Sequence, residues 1–184
     1  MKNVFLLLVV LIFSTGCNST SEKKKAVEWV NVFMGTSNSR WMPGSYASVS
    51  FGMIQLEPDS QGQVWTSVYD YAINSVSGFS HIHAWTMAGL RMMPTTTDLV
   101  FEDRPLDAAY KGGGAGYHFR IEKETEKASP GFYSVYLYDH DVLAEMTATT
   151  RCGFQKYTFP EKKESRLLID LLFFAEYQYW VQKL

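Results

Sequence analysis

The chain has 184 residues, 46% of them hydrophobic and 20% charged, which suits about one domain with a real core and excludes a disordered or collagen-like polymer. Lys and Arg number 17 against 19 Asp and Glu, a net charge of -2, so nothing draws the chain over long range to nucleic acid or to an acidic membrane. Aromatic residues reach 15%, a share that fits either a β-rich core or stacking surfaces for sugars.

Residues 1–16 read as a removable leader: Lys2, an apolar run from Val4 to Phe13, then Ser14-Thr15-Gly16 before Cys17. The run is too short to cross a bilayer as a helix, which takes about 20 apolar residues. A cysteine directly after Gly16 resembles a bacterial lipoprotein box, although Ser14 stands where that pattern usually carries Leu. The expectation is lipidation at Cys17 and a place in the bacterial cell envelope, on the outer membrane or its periplasmic face. The alternative is an ordinary secreted protein with a free Cys17. Residues 17–25 (CNSTSEKKK) read as a flexible tether, and membrane contact is expected through the lipid anchor only. Either way Cys152, among Thr150, Phe154 and Tyr157, is expected to be a small buried hydrophobe.

Residues 26–184 are expected to form one all-β domain, an antiparallel β-sandwich. The one helical candidate is Glu22 to Phe33, whose valines fit a helix face poorly. Gly35-Thr36 follow an apolar stretch read as a strand and open the polar loop Ser37-Asn38-Ser39-Arg40, with Trp41 just beyond. A glycine there allows tight backbone approach to a ligand. Trp65 has polar and turn-forming neighbours on both sides, which reads as a loop, where binding residues concentrate. A core tryptophan remains the other reading. His81 and His83 share a face if extended, with Trp85 just beyond. Zinc would need a third protein ligand that the spacing does not supply, so no metal ligands are assigned. Hydrogen bonding to a sugar, to a partner domain or within the fold all remain open for the pair.

Asp103 to Gly116 reads as a flexible loop ending in a glycine run. From there period-two alternation predicts strands at Tyr117–Glu122, Tyr133–Tyr138, Val142–Thr149 and Gly153–Phe159, with turns at Pro130-Gly131 and Asp139-His140-Asp141. Arg166 to Phe174 reads as a more buried strand. The acidic groups Asp139/Asp141 and Glu122/Glu124/Glu126 are assigned to a turn and to a solvated strand face and loop, not to catalysis. Phe173 to Leu184 ends the chain without a turn signal or polar cap, so a partner element is expected to cover it or the chain is truncated there.

Several stretches in order and spacing resemble the N-terminal domain of glycoside hydrolase family 92, calcium-dependent exo-acting α-mannosidases. They are Val30-Asn31-Val32-Phe33-Met34-Gly35-Thr36, Pro43-Gly44, Ser50-Phe51-Gly52-Met53-Ile54-Gln55-Leu56-Glu57-Pro58-Asp59, Gly78-Phe79-Ser80-His81-Ile82-His83 and Pro130-Gly131-Phe132-Tyr133-Ser134-Val135. The resemblance implies a β-sandwich that packs on a helical (α/α)₆ catalytic domain, which supplies the general acid, the general base and most calcium ligands. It also implies a mannose-containing glycan as substrate, an inverting mechanism, and Trp65 lining the sugar site. Gly35, Thr36, His81, His83 and Trp85 are the other expected substrate-binding residues, with no catalytic residue in this chain. The sequence departs from the family at Thr66, where Asp is common, and at Ser39-Arg40-Trp41-Met42, where a glycine- and histidine-containing segment is usual. The expected function is therefore part of the sugar-site wall of an α-mannosidase-like hydrolase, inactive as this chain alone. A glycan-binding surface lipoprotein and a non-functional fragment are the alternatives.

Overall fold

The computed structural model describes residues 24–37, 44, 47–60, 69–82, 90–98, 104–107, 112–114, 119–161 and 163–170. The leader, Cys17, Arg40, Trp41, Trp65, His83, Trp85 and the last fourteen residues lie outside them. The strands in chain order are β1 Glu57–Pro58, β2 Ser75–Val76, β3 Phe79–Ser80, β4 Arg91–Thr95, β5 Arg104–Asp107, β6 Gly112–Gly114, β7 Phe119–Ser129, β8 Phe132–Leu137, β9 Val142–Ala148, β10 Gly153–Thr158 and β11 Arg166–Asp170.

These strands make two antiparallel sheets that share one core, the β-sandwich expected from the alternation. One has the order β1-β3-β4-β11 and the other β10-β9-β8-β7-β2, while β5 and β6 pair with each other. Residues two apart on a strand face the same way, so alternation sorts each sequence between core and surface. In β9, Val142, Ala144, Met146 and Ala148 are buried, and Leu143, Glu145 and Thr147 between them are not. Tyr133, Val135 and Leu137 of β8 and Phe119 and Ile121 of β7 face the same core, which Leu56, Phe79 and Met93 complete from the other side. Pro130-Gly131 closes the β7–β8 hairpin, and Gly131 at φ 81° supplies the positive dihedral that the residue after proline needs in a type II turn. The chain leaves the five-stranded sheet at β2 and enters the four-stranded one at β3 across Ser77-Gly78. A Cβ on Gly78 would lie 2.5 Å from Arg91 Cγ, so that crossing leaves no room for a side chain.

As the poor fit of its valines to a helix face predicts, the described part of the helical candidate forms a short 3₁₀ turn at Ala26–Trp29. Several local expectations are corrected. The apolar stretch before Gly35 is a turn, not a strand: Asn31 Oδ1 accepts the Phe33 N–H at 3.0 Å, and a short polar side chain that captures local backbone competes with extension. The glycine-rich loop from 103 to 116 contains β5 and β6, whose backbones pair with a register irregularity. Cys152 is exposed, because it sits in the turn between β9 and β10 and not on an inward strand position. Among the described residues the expected buried strand at Arg166 is an edge strand bonded to β4, with Leu167 and Ile169 each 47% exposed and Leu168 packed on the core. Its apolar run misleads because a strand with only one sheet neighbour has fewer elements to cover it.

Burial predicts how substitutions divide. Leu137→Ala removes a fully buried side chain and should lower unfolding free energy by about 2–5 kcal/mol in urea denaturation. Ile169→Ala on the half-exposed edge should cost less than about 1 kcal/mol.

Candidate functional site

The expected site residues that are described fall in two groups of contacts. The first surrounds Gly35-Thr36. Gly35 is exposed and takes φ 80°, which turns the chain so that Thr36 goes inward. Thr36 is 2% exposed, and its hydroxyl donates to the Phe33 carbonyl at 2.8 Å. Its own carbonyl accepts the Tyr71 N–H at 3.2 Å, tying the segment to Tyr69–Tyr71, just after the stretch that carries Trp65. Phe33 packs on both tyrosines, with ring centroids 6.4 Å from Tyr69 and 5.2 Å from Tyr71.

Beneath these rings lies a carboxylate that the alternation placed in solvent. The Glu126 side chain is 1% exposed. Its Oε1 accepts the Tyr69 hydroxyl at 2.7 Å and the Tyr133 hydroxyl at 2.6 Å, and its Oε2 lies 2.6 Å from Lys123 Nζ. The ammonium sits 4.4 Å from the Tyr71 ring centroid and 5.1 Å from that of Tyr69, so it serves the ion pair and both rings together. The reason is a break in β7. Glu122 pairs with Tyr136, but Lys127 pairs with Ser134, so the residues between bulge out of register. Thr125 fills the bulge, donating to the Glu122 carbonyl at 2.7 Å and accepting the Tyr136 N–H at 3.0 Å. The bulge turns Lys123 and Glu126 onto the tyrosines. Tyr133 is held well above the ordinary tyrosine pKa, first by burial and then by the charge on Glu126, so it stays a hydroxyl donor.

The second group surrounds His81. Its Nδ1 lies 2.8 Å from the Leu90 carbonyl, which can only accept, so Nδ1 carries the proton and Nε2 faces Gln155 Nε2 at 3.4 Å as acceptor. Gln155 Oε1 in turn accepts the Tyr157 hydroxyl. His81 therefore links the end of β3 to β10 across the sandwich, with both ring nitrogens engaged inside the protein. The Leu90 bond also closes the base of the segment that carries His83 and Trp85.

Sequence reasoning did not single out a third feature, a polar row across the four-stranded sheet. Glu57 pairs with Ser80, Ser80 with Arg91, and Arg91 with Asp170, so the four stand side by side on one face. Glu57 and Ser80 are fully buried and Arg91 is 8% exposed. Arg91 donates to Asp170 at 2.5 Å and to Ser77 Oγ at 3.0 Å, and Ser80 Oγ donates to Asp59 at 2.5 Å. No motif announces such a row, since it exists only once the strand register is known.

The other acidic pair behaves as expected of a turn. Asp139 takes Arg120 through Nε at 2.9 Å and Nη2 at 2.6 Å, and Asp141 takes Lys163 at 2.7 Å and the Tyr136 hydroxyl at 3.0 Å. Those two bonds hold the Asp141 carboxyl below the usual range. Among the described residues no group of three or more His, Cys, Asp or Glu is arranged to hold a metal ion. The calcium implied by the resemblance finds no ligand set there.

A family model described as the glycosyl hydrolase family 92 N-terminal domain matches residues 29–182. Among solved structures, the family GH92 α-mannosidase BT3965 from Bacteroides thetaiotaomicron superposes with a TM-score of 0.67 at 30% identity, over 81% of this chain and 20% of that one. The GH92 family glycosyl hydrolase ccman5 follows with a TM-score of 0.60 at 26% identity, over 80% and 20%. The inverting mannosidase BT2199, also from Bacteroides thetaiotaomicron, shares the fold with a TM-score of 0.55 at 22% identity, over 80% and 20%. The chain thus spans about a fifth of the length of these proteins. A comparison with curated proteins gave no match.

Removal of the buried carboxylate tests the first group. Glu126→Ala leaves two tyrosine hydroxyls and an ammonium without their shared acceptor, and should cost about 3–5 kcal/mol of unfolding free energy. Glu145→Ala, which breaks only the exposed pair with Lys156, should cost less than about 1 kcal/mol in the same denaturation series.

Proposed function

Because the chain belongs to glycosyl hydrolase family 92, as that family's N-terminal domain, we propose that it forms one wall of a sugar site in a hydrolase of terminal α-mannosides. The observation that carries this reading is the convergence of Gly35-Thr36, Phe33 and Tyr69–Tyr71 over the Lys123–Glu126 pair, with Trp65 four residues before Tyr69 in the sequence. In this reading Trp65 stacks on the apolar face of the mannose ring, with its indole N–H free for a hydroxyl. Gly35 gives the ring close access to backbone, and Thr36 is fixed from below. His83 and Trp85 stay candidate sugar contacts on the sequence reading, and His81 is held by Leu90 and Gln155.

The chemistry of an inverting glycosidase needs an acid to protonate the leaving oxygen and a carboxylate to activate water, about 6.5–9.5 Å apart. Several described carboxylates are committed elsewhere: Glu126 to three donors, Asp139 to Arg120, Asp141 to Lys163 and Asp170 to Arg91. In this reading, as the family resemblance implies, the reacting acids and most of the calcium ligands come from a helical domain packed against this one. Calcium, where bound, would help distort the sugar. The wall contributes by fixing the ring against those groups, and orientation of that kind lowers a barrier without any group of its own entering the reaction. In the same reading Cys17 carries lipid and holds the domain at the bacterial envelope.

Two measurements test the proposal. Purified protein of these 184 residues should release no mannose from α-mannosides, with or without calcium; measurable calcium-dependent release would overturn the assignment of the acids. Titration with an α-mannoside should change tryptophan fluorescence in the wild type and leave Trp65→Ala unchanged. An equal response in both would remove Trp65 from the wall.

A further inference from the structure

We propose that His140 is a proton-sensitive joint between the two sheets: neutral, it holds the β8–β9 turn on the end of β4, and on taking up a proton it releases that end. His140 is 1% exposed although it sits in a turn. Its Nδ1 lies 3.2 Å from the Thr96 backbone nitrogen, 3.2 Å from Thr96 Oγ1 and 3.5 Å from Thr95 Oγ1. A backbone N–H only donates, so Nδ1 must offer a lone pair and the proton of the neutral ring must sit on Nε2. Buried Nε2 has no hydrogen-bond partner among the described residues. The ring stands edge-on to Phe119, centroids 4.0 Å apart at 73°, and Thr96 Oγ1 also reaches the His140 carbonyl at 3.4 Å. Since β4 belongs to one sheet and β8 and β9 to the other, these bonds fasten sheet to sheet.

A second proton turns this grip into a clash. Nδ1–H would confront Thr96 N–H, donor against donor, and a buried cation would need a counter-charge. The acids nearby are already paired. On the turn itself, Asp139 holds Arg120 of β7 and Asp141 holds Lys163 from the turn before β11. Among the described residues the β4 end brings the hydroxyls of Thr95 and Thr96, and beyond it Asp98 holds Arg166 of β11. Burial is the main influence and lowers the His140 pKa from 6.5; Lys163 adds to the lowering while Asp139 and Asp141 oppose it. The sign follows from linkage. An unfolded chain takes up this proton near pH 6.5 and the folded chain only at lower pH, so the stability is complete above pH 6.5 and falls as pH drops toward the folded value.

Nitrogen–proton correlation spectra of the imidazole rings, recorded on the full chain from pH 7.5 to 5 alongside urea unfolding, test the joint. The expected result is His140 with its proton on Nε2 at pH 7.5, a titration midpoint below 6.5, and an unfolding constant that rises up to about tenfold between pH 7.5 and 5.5. His140→Asn places Oδ1 where Nδ1 accepts and does not titrate, so it should lose the His140 share of that rise. A proton on Nδ1, a midpoint at or above 6.5, or an unchanged rise in His140→Asn would overturn the proposal. Should the variant fail to fold, the wild-type tautomer and midpoint decide alone.

Discussion

A negative charge inside a β-sandwich survives only if donors surround it, and the shape of the candidate wall follows from how Glu126 meets that demand. Isolated in the core, the carboxylate would cost several kcal/mol in lost hydration. Two tyrosine hydroxyls and an ammonium offset that cost, and each donor comes from a place the wall needs. Tyr133 belongs to β8 in the centre of the five-stranded sheet, Lys123 to the bulge of β7, and Tyr69 to the segment that leads into Tyr71 and so to Thr36. One carboxylate thus ties the five-stranded sheet to the segment from Tyr69, alongside the burial of Tyr69 and Ile73.

The two sheets meet through different chemistry at different places. Along β7, β8 and β9 the contact is apolar and set by alternation. Elsewhere polar groups bridge them, the His81–Gln155–Tyr157 chain and His140 against Thr95 and Thr96, while the Glu57–Ser80–Arg91–Asp170 row ties the strands of the four-stranded sheet to one another. Apolar surface makes the sheets adhere without prescribing their offset. Directional bonds between named partners prescribe it, and a wall that must present several residues to one ring depends on that offset.

How much was legible in the sequence depended on how local the cause was. The start of β7 and the strands β8, β9 and β10 were readable because half-buried antiparallel strands write their burial into period two, while β7 past Glu122, which runs on to Ser129, was not. The family was readable because short motifs kept their order. Glu126 was misread because interleaved Lys and Glu from 122 to 127 read as a solvated strand face and loop, and no residue there signals a bulge. β11 was misread because an apolar run records hydrophobicity and not the number of neighbouring strands. The polar row escaped notice because its members are far apart in sequence and adjacent only through pairing. Of the expected sugar-site residues, Gly35 and Thr36 join the tyrosine group and His81 stands in its own, while Trp65, His83 and Trp85 lie outside the described residues.

The central claim is that Glu126 holds Tyr69–Tyr71 in place beneath Thr36, and amide hydrogen exchange at Tyr71 reads it directly, since that N–H is bonded to the Thr36 carbonyl. Glu126→Gln keeps the size of the side chain but removes its charge and turns an amide toward a donor. The account predicts that exchange at Tyr71 accelerates in this variant while the amides that pair β8 with β9 keep their protection. Equal protection of Tyr71 in both proteins would contradict it.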